Sequence, residues 1–342
     1  MRPDLGRWYS TTPLHLGALL LQHALLAAAD AEAQQLETLR GAQPGRVEPA
    51  VGEGQDIESG AAVDLAARWG VDSARSERLT RLAFGSCSKQ LQPQPLWTPI
   101  AAFDPQVWLW AGDAVYEEGG GEKLREAFAT QLLQPGYATL LRRGVKVLGT
   151  WDDHDYGRND AGRWLSSKHE AKDLFLNFLQ ADQPTVSPAY ELRQRERLGV
   201  YSSHTFGLPP EQVKVILLDT RFSRDSHMIP SVGGMQFPLS PLVAASVRGL
   251  CSHCSIGADF EGDVLGEKQW DWLDSQLADS KAAVHIIVSS IQVQTSNPLV
   301  ESWGHFPAAR ARLISLLNKH RPAGLLLISG DVHFAEMSGS VT

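Results

Sequence analysis

The sequence predicts an α/β protein in which strands and helices alternate from about residue 80 onward. Two observations indicate this class: short β-branched or aromatic runs recur along the chain, and stretches with helical periodicity lie between them. A third observation is that most of the strand-like runs end in a polar residue. In open α/β sheets the carboxyl ends of the strands converge on one crevice, so these polar residues are candidates for a shared site.

The elements follow from the same periodicity. The predicted strands are, in chain order, 82–84, 107–110, 145–150, 213–218, 284–291 and 325–328. The predicted helices are 122–133, 168–179, 267–277 and 308–319, the last with Pro307 at its start. Residues 226–262 are rich in Gly, Ser and Pro, which predicts a long surface insertion.

The composition is that of an ordinary soluble globular protein. The 342 residues suffice for one large domain or two smaller ones, with 43% hydrophobic and 20% charged residues. A formal net charge of −8 argues against a nucleic-acid-binding surface, which needs an excess of Lys and Arg. Three cysteines are too few for a disulfide-stapled scaffold.

The N-terminal residues 1–33 have two interpretations. Arg2 and Arg7 precede a mostly apolar stretch and small residues follow it, as in a cleaved signal peptide of a secreted or endomembrane protein. Gln22 and His23 interrupt the stretch, which would equally suit an amphipathic helix of a cytoplasmic protein. Residues 34–79 are predicted as a lead-in segment and 80–342 as one domain. No later stretch approaches the roughly 20 apolar residues of a membrane span.

The residues that follow the predicted strands form a set of metal ligands. They are Cys87, Asp113, Tyr116, Asp153, His154, Asp219, Arg221, Asp331 and His333. A thiolate, a phenolate, imidazoles and carboxylates suit metal ions better than a nucleophile triad, and no G-x-S-x-G elbow accompanies them.

The set divides by ligand softness. Cys87, Tyr116 and His333 suit a Lewis-acidic transition metal, whereas Asp153 and Asp331 offer hard oxygens for Ca²⁺, Mg²⁺ or Mn²⁺. Asp113 lies between the two groups and is predicted to bridge them. Two cations about 3.5–4 Å apart would hold a hydroxide in line with phosphorus, which indicates phosphoester hydrolysis.

Neighbouring residues are predicted to contact the substrate. His154 would contact the phosphate or protonate the leaving oxygen, and Arg221 would clamp phosphate oxygens. Arg158 and Asn159 are weaker candidates for the same contact. Simpler readings remain open for single features: the Asp-rich turn WDDHD as a capped helix start, and Arg221 as the partner of Asp219 in a structural ion pair.

At these residues the chain resembles the alkaline phosphatase D (PhoD-like) family of metallophosphatases. The similarity runs from Arg81 to about Met337 and rests on ordered blocks: FGSC, WLWAGDAVYEE, GTWDDHD, LLDTRFSRD, SSIQVQ, ESWGHF and ISGDVHFAE. The resemblance implies a four-layer αββα sandwich. It also implies that further strands follow GDVHFAE, so we expect a domain truncated at its C-terminus.

The resemblance further implies a centre in which Fe³⁺ pairs with Ca²⁺, the second cation being replaceable by Mg²⁺ or Mn²⁺. By position, the iron ligands would be Cys87, Asp113, Tyr116 and His333. The ligands of the second cation would be Asp113, Asp153 and Asp331.

The predicted function is hydrolysis of a small phosphoester, with monoesters favoured and diesters second. Two alternatives stay open: a noncatalytic phosphate or nucleotide binder on the same scaffold, and a calcium-stabilised structural module. The sequence does not specify an oligomeric state.

Overall fold

Two β-sheets carry the polar residues predicted to form the site. The computed structural model describes residues 77–180, 196–229, 240–295 and 297–339, and gives only the backbone for 240–245. The predicted leader 1–33 and nearly all of the lead-in segment 34–79 lie outside the described residues. None of the helices in the described ranges is long and apolar enough to cross a membrane.

The first sheet contains three parallel strands in the order β1-β2-β3: β1 (Leu82–Gly85), β2 (Val107–Ala111) and β3 (Lys146–Thr150). The second sheet has the order β4-β5-β6-β7: β4 (Ser202–Phe206), β5 (Val213–Leu217), β6 (Val284–Val288) and β7 (Leu325–Ile328). β4 pairs antiparallel with β5, and the other pairs are parallel. The six predicted strands are confirmed, and the mixed α/β class with them.

Strand β4 was not predicted. Its sequence SSHTF places Ser, His and Thr where an apolar alternation would be needed to reveal a half-buried strand. The strand forms by pairing along β5, with Ser202 opposite Leu217 and Phe206 opposite Val213. A contact between two strands therefore supplies what the local sequence lacks.

Eight α-helices occur in the described residues: α1 (Trp97–Phe103), α2 (Gly121–Leu133), α3 (Pro135–Arg142), α4 (Asp153–Tyr156), α5 (Lys168–Gln180), α6 (Ser240–His253), α7 (Glu267–Leu277) and α8 (Pro307–His320). The four predicted helices are confirmed as α2, α5, α7 and α8. The segment 226–262, predicted as a long surface insertion, contains α6 at its centre. Pro241 lies in the first turn of this helix, where a proline is tolerated.

Side chains alternate strictly between the two faces of β2. Val107, Leu109 and Ala111 pack in one apolar cluster with residues of β5 and β6, so the two sheets share it. Trp108 and Trp110 point into a second cluster with the helices, where they contact one another edge to face with ring centroids 5.2 Å apart. A third cluster joins the other face of β5 and β6 to α7 and α8.

Candidate metal centre

Several of the predicted ligand residues have an unusual backbone conformation. Cys87, Asp113, Asp331 and His333 follow the ends of β1, β2 and β7 with φ angles of 58°, 50°, 72° and 55°. Left-handed backbone is uncommon for residues other than glycine, and such strain clusters at functional sites. The same conformation at four residues that follow three strand ends therefore marks this edge of the sheets as a candidate site.

Two glycines let the strand ends approach closely. A Cβ atom on Gly112 would lie 2.7 Å from Cβ of Asp152 and 3.0 Å from Cβ of Ser290, and its φ angle is 101°. A Cβ atom on Gly330 would lie 2.5 Å from the backbone oxygen of Ala111. No larger residue fits at either position without movement. Glycine at both positions therefore lets the loops after β2, β3, β6 and β7 pack in close contact.

The soft ligands lie together. One nitrogen, sulfur or oxygen atom from each of Cys87, Asp113 and His333 lies within 4.8 Å of the others. The Tyr116 hydroxyl shares a hydrogen bond of 2.6 Å with Nε2 of His333. Burial raises the pKa of Tyr116, and the nearby Asp113 and Cys87 raise it further. This group of four, the soft cluster, presents a thiol, a phenol, an imidazole and a carboxylate to one point.

Gln90, which the sequence did not single out, fixes Tyr116. Its amide nitrogen donates to the backbone oxygen of Tyr116 at 3.0 Å, and its amide oxygen accepts from the backbone N–H at 2.9 Å. Gln90 is 5% exposed. The sequence around Gln90 carries no pattern that would reveal this pairing, because it depends on how the loops after β1 and β2 meet.

The hard ligands adjoin the soft cluster through Asp113. Ligand atoms of Asp113, Asp153 and His154 also lie within 4.8 Å of one another. The backbone N–H of His154 donates to Oδ1 of Asp113 at 3.3 Å, and that of Asp160 donates to Oδ2 of Asp153 at 2.7 Å. Asp113 thus belongs to both groups, as a bridging carboxylate would.

Asp155 braces the two loops that carry these carboxylates. Its Oδ1 accepts from the backbone N–H of Val115 at 3.1 Å, and its Oδ2 accepts from that of Asp152 at 3.1 Å. The side chain is fully buried, and burial raises the pKa of Asp155 to about 8. Asp155 therefore connects the loop after β2 to the start of α4.

The site concentrates carboxyl groups in a buried environment, which disfavours their charged form. Burial raises the pKa of Asp113 well above its usual range, and the neighbouring Asp153 and Asp152 carboxylates raise it further. The pKa of Asp331 is raised well above the usual range too, mainly by burial and then by Asp152. Bound cations would reverse these shifts, because an opposite charge favours the ionised carboxylate.

Buried polar atoms without hydrogen-bond partners also indicate that this site binds cations. Oδ2 of Asp152 and Nδ1 of His154 are buried and have no hydrogen-bond partner within the described ranges. The His154 ring lies against Tyr116 with centroids 4.3 Å apart, and burial lowers the pKa of His154 to about 4. Buried polar atoms are normally paired, so the donor set and the unpartnered atoms together fit a group of metal ions.

Arg221 lies beneath the hard ligands with its guanidinium fully buried. Its Nε donates to Oδ1 of Asp152 at 2.5 Å, and Nη1 and Nη2 donate to the two carboxylate oxygens of Glu301 at 3.1 and 2.8 Å. Asp219 accepts the backbone N–H groups of Arg221 and Phe222. In this structure the Arg221 guanidinium faces carboxylates, and its ion-pair partners are Asp152 and Glu301.

Glu301 is a second residue whose role the sequence did not reveal. Besides Arg221, its Oε1 lies 3.2 Å from Nη1 of Arg224 and 3.2 Å from Nε2 of His227. The two arginines hold the pKa of Glu301 well below its usual range. The residue stands in the block ESWGHF, but its partners come from the loop after β5.

The remaining predicted residues lie outside these groups. Asp331 joins none of the three metal-capable clusters found in the described part of the chain. Arg158 is exposed, with its guanidinium 5.1 Å above the Trp164 ring, and Asn159 is half-buried. Cys251 and Cys254 are free thiols.

Comparisons with known proteins identify a family. A model of the PhoD-like phosphatases matches residues 121–339, well over half of the chain, and begins after Cys87, Asp113 and Tyr116. A solved structure described as "Structure of PhoD" aligns with a TM-score of 0.46 and 19% identity, over 76% of this chain and 52% of that one. This chain therefore spans about half the length of that protein. No curated protein matches the sequence.

Proposed function

The chain belongs to the PhoD-like phosphatase family, and on that premise we propose that it hydrolyses phosphate esters at the centre formed after β1, β2, β3 and β7. One observation carries the proposal: a ligand atom of Asp113 lies within 4.8 Å of ligand atoms of Cys87 and His333, and one lies within 4.8 Å of a ligand atom of Asp153. A carboxylate shared by two ligand groups can bridge the two cations of a dinuclear centre.

The metals in this proposal are those that the family resemblance implies, and donor chemistry divides the residues between them. Fe³⁺ would be held by Cys87, Asp113, Tyr116 and His333, and Ca²⁺, or Mg²⁺ or Mn²⁺, by Asp113, Asp153 and Asp331. When bound, the cations would lower the pKa of a water molecule for attack on phosphorus and withdraw charge from the phosphoryl oxygens. The αββα sandwich belongs to the same proposal, and the apolar cluster shared by the sheets, with helices on their outer faces, supports it.

The chain's own residues orient the ester. A neutral His154 supplies a hydrogen bond to a phosphoryl or leaving oxygen more readily than a full proton, because burial keeps its pKa near 4. We assign Arg221 as a positioning residue for Asp152, since direct phosphate contact would require one of its ion pairs to open. Arg158 and Asn159 are the exposed and half-buried candidates for phosphate contact at the rim.

Asp113→Asn tests the proposal. Asparagine tolerates left-handed backbone, so the variant removes charge with little strain. We expect bound iron to be lost, and hydrolysis of 4-nitrophenyl phosphate and bis(4-nitrophenyl) phosphate to fall by about a hundredfold or more. Elemental analysis and initial rates measure both, with the monoester expected to react faster.

Asp104→Asn is the matched control. Asp104 has a φ angle of 52° but is exposed and pairs with Arg81, so its variant should retain metal and turnover. The proposal fails if Asp113→Asn keeps wild-type metal content and rates. A wild-type protein that binds phosphate but hydrolyses neither ester would instead be the noncatalytic binder.

A further inference from the structure

A separate cavity lies beside the Glu301 network. It measures about 220 Å³ and is lined by residues of α6, by the segment that follows it, and by the loops before α8. Met228, Ile256 and Phe260 give it apolar walls, and Ser252 and Ser255 also line it. A cavity of this size exceeds the volume of several water molecules and holds a small organic group.

Arg248 makes this cavity unusual. The residue lines it from α6 and is only 5% exposed, yet Nε and Nη2 are buried with no hydrogen-bond partner among the described residues. Burial lowers the pKa of Arg248, as expected for a desolvated cation. An unpaired buried guanidinium is costly, so native structures normally supply it with an anion or hydrogen-bond acceptors.

The nearby carboxylates of Asp160 and Glu301 favour the charged form of Arg248, but neither accepts a hydrogen bond from its Nε or Nη2. Glu301 already receives Arg221 in a bidentate pair and lies 3.2 Å from both Arg224 and His227. A second cavity-lining residue, His305, also has an unpartnered atom: its Nε2 lies 3.1 Å from the backbone oxygen of Pro298, while Nδ1 is buried without a partner in the described ranges. The cavity thus combines apolar walls with a buried guanidinium whose Nε and Nη2 have no hydrogen-bond partner among the described residues.

We propose that this cavity binds an oxyanion, a carboxylate or phosphoryl group, carried on an apolar body. Nε and Nη2 of Arg248 would donate hydrogen bonds to two oxygens of such a group, and the apolar walls would contact the attached carbon skeleton. The two serine hydroxyls are further donors.

The oxyanion could come from either of two sources. His227 lines the cavity and contacts Glu301, whose ligand atom lies within 4.8 Å of those of Asp153 and Asp160. Glu301 therefore lies between the cavity wall at His227 and the hard ligand Asp153. The oxyanion is either a second negative group on the leaving alcohol of the substrate, which rests on the proposed function, or a free organic anion.

Benzoate binding to the purified metal-loaded protein tests the site without turnover. We expect calorimetric titration to show saturable binding by the wild type and at least tenfold weaker binding by Arg248→Met. Arg312→Met is the matched control, because Arg312 is exposed and paired with Glu267. The melting temperature adds a second readout: without benzoate, Arg248→Met should melt at or above the wild-type temperature, since an unpaired buried charge is removed.

Equal benzoate affinity in wild type and Arg248→Met, or no binding by either, would overturn the proposal. The proposal would also be overturned by two results together: Arg248→Met melts at a lower temperature than the wild type, and benzoate does not change the melting temperature of the wild type. Those results would indicate that Arg248 has a structural role. These measurements need no hydrolysis, so they can fail while the proposed phosphatase activity stands.

The source of the oxyanion is decided by substrate comparison. The ratio of kcat/KM for 4-carboxyphenyl phosphate to that for phenyl phosphate should fall at least tenfold in Arg248→Met if the substrate carries the group. An unchanged ratio together with lost benzoate binding would identify a free organic anion as the ligand.

Discussion

Replacing Glu301 by glutamine should strongly destabilise the protein. The substitution keeps the shape of the side chain but removes the charge that receives both terminal nitrogens of Arg221 and lies 3.2 Å from Nη1 of Arg224. Both arginine side chains are at most 1% exposed and Glu301 is 5% exposed. In a site that water does not reach, Arg224 would therefore lose its main counter-charge and Arg221 one of its two, since Asp152 remains.

The expected cost follows from that burial. Removing one partner of a buried ion pair typically costs about 3–5 kcal/mol, because an uncompensated charge stays in a low dielectric. The chain offers an exposed counterpart with the same fork geometry, in which Nη1 and Nη2 of Arg312 donate to Glu267 at 2.6 and 2.8 Å. Glu267 is 73% exposed, and an exposed pair contributes only about 0–1 kcal/mol.

The assay is urea unfolding at pH 7 with linear extrapolation of the free energy of unfolding. Glu301→Gln should lose at least about 2 kcal/mol more than Glu267→Gln, the smallest gap between the two ranges. If the two variants lie within about 1 kcal/mol of each other, Glu301 does not neutralise buried charge and the assignment of Arg221 as its partner is wrong.

Two further predictions concern the same region. Burial lowers the pKa of His227 to about 4, so the folded protein keeps this imidazole neutral. Below pH ~6.5 the imidazole takes up a proton in the unfolded chain before it does so in the folded protein, and the free energy of unfolding therefore falls as the pH falls. The unfolding free energy of wild type relative to His227→Gln should thus fall by about 3 kcal/mol between pH 7 and pH 4, and a constant difference would contradict this. Gly330→Ala places Cβ 2.5 Å from the Ala111 oxygen, so we expect about 1–3 kcal/mol of destabilisation and reduced metal content. Gly339→Ala, whose Cβ meets no atom within 4 Å, should change neither in the same unfolding and metal assays.

The sequence by itself determined the α/β class, six of the seven described strands and the residue types at their ends. It could do so because strand periodicity and the polar residue after each strand are local properties. The ends of parallel strands meet at one edge, so Cys87, Asp113 and His333 could be expected to converge, and the structure brings them within 4.8 Å. Strand β4 was not predicted from the sequence because its stability depends on pairing with β5.

Only the tertiary structure decided which groups meet the buried charges. Arg221 reads in sequence as a phosphate contact or a partner of Asp219, yet its guanidinium pairs with Glu301, 80 residues away. Arg248 lies in a segment predicted as a surface insertion, yet it is buried and two of its nitrogens have no partner in the described structure. A charged residue looks the same in sequence whether solvent, a carboxylate or a ligand faces it. Its partner depends on which distant segments fold against it, and that information is not local.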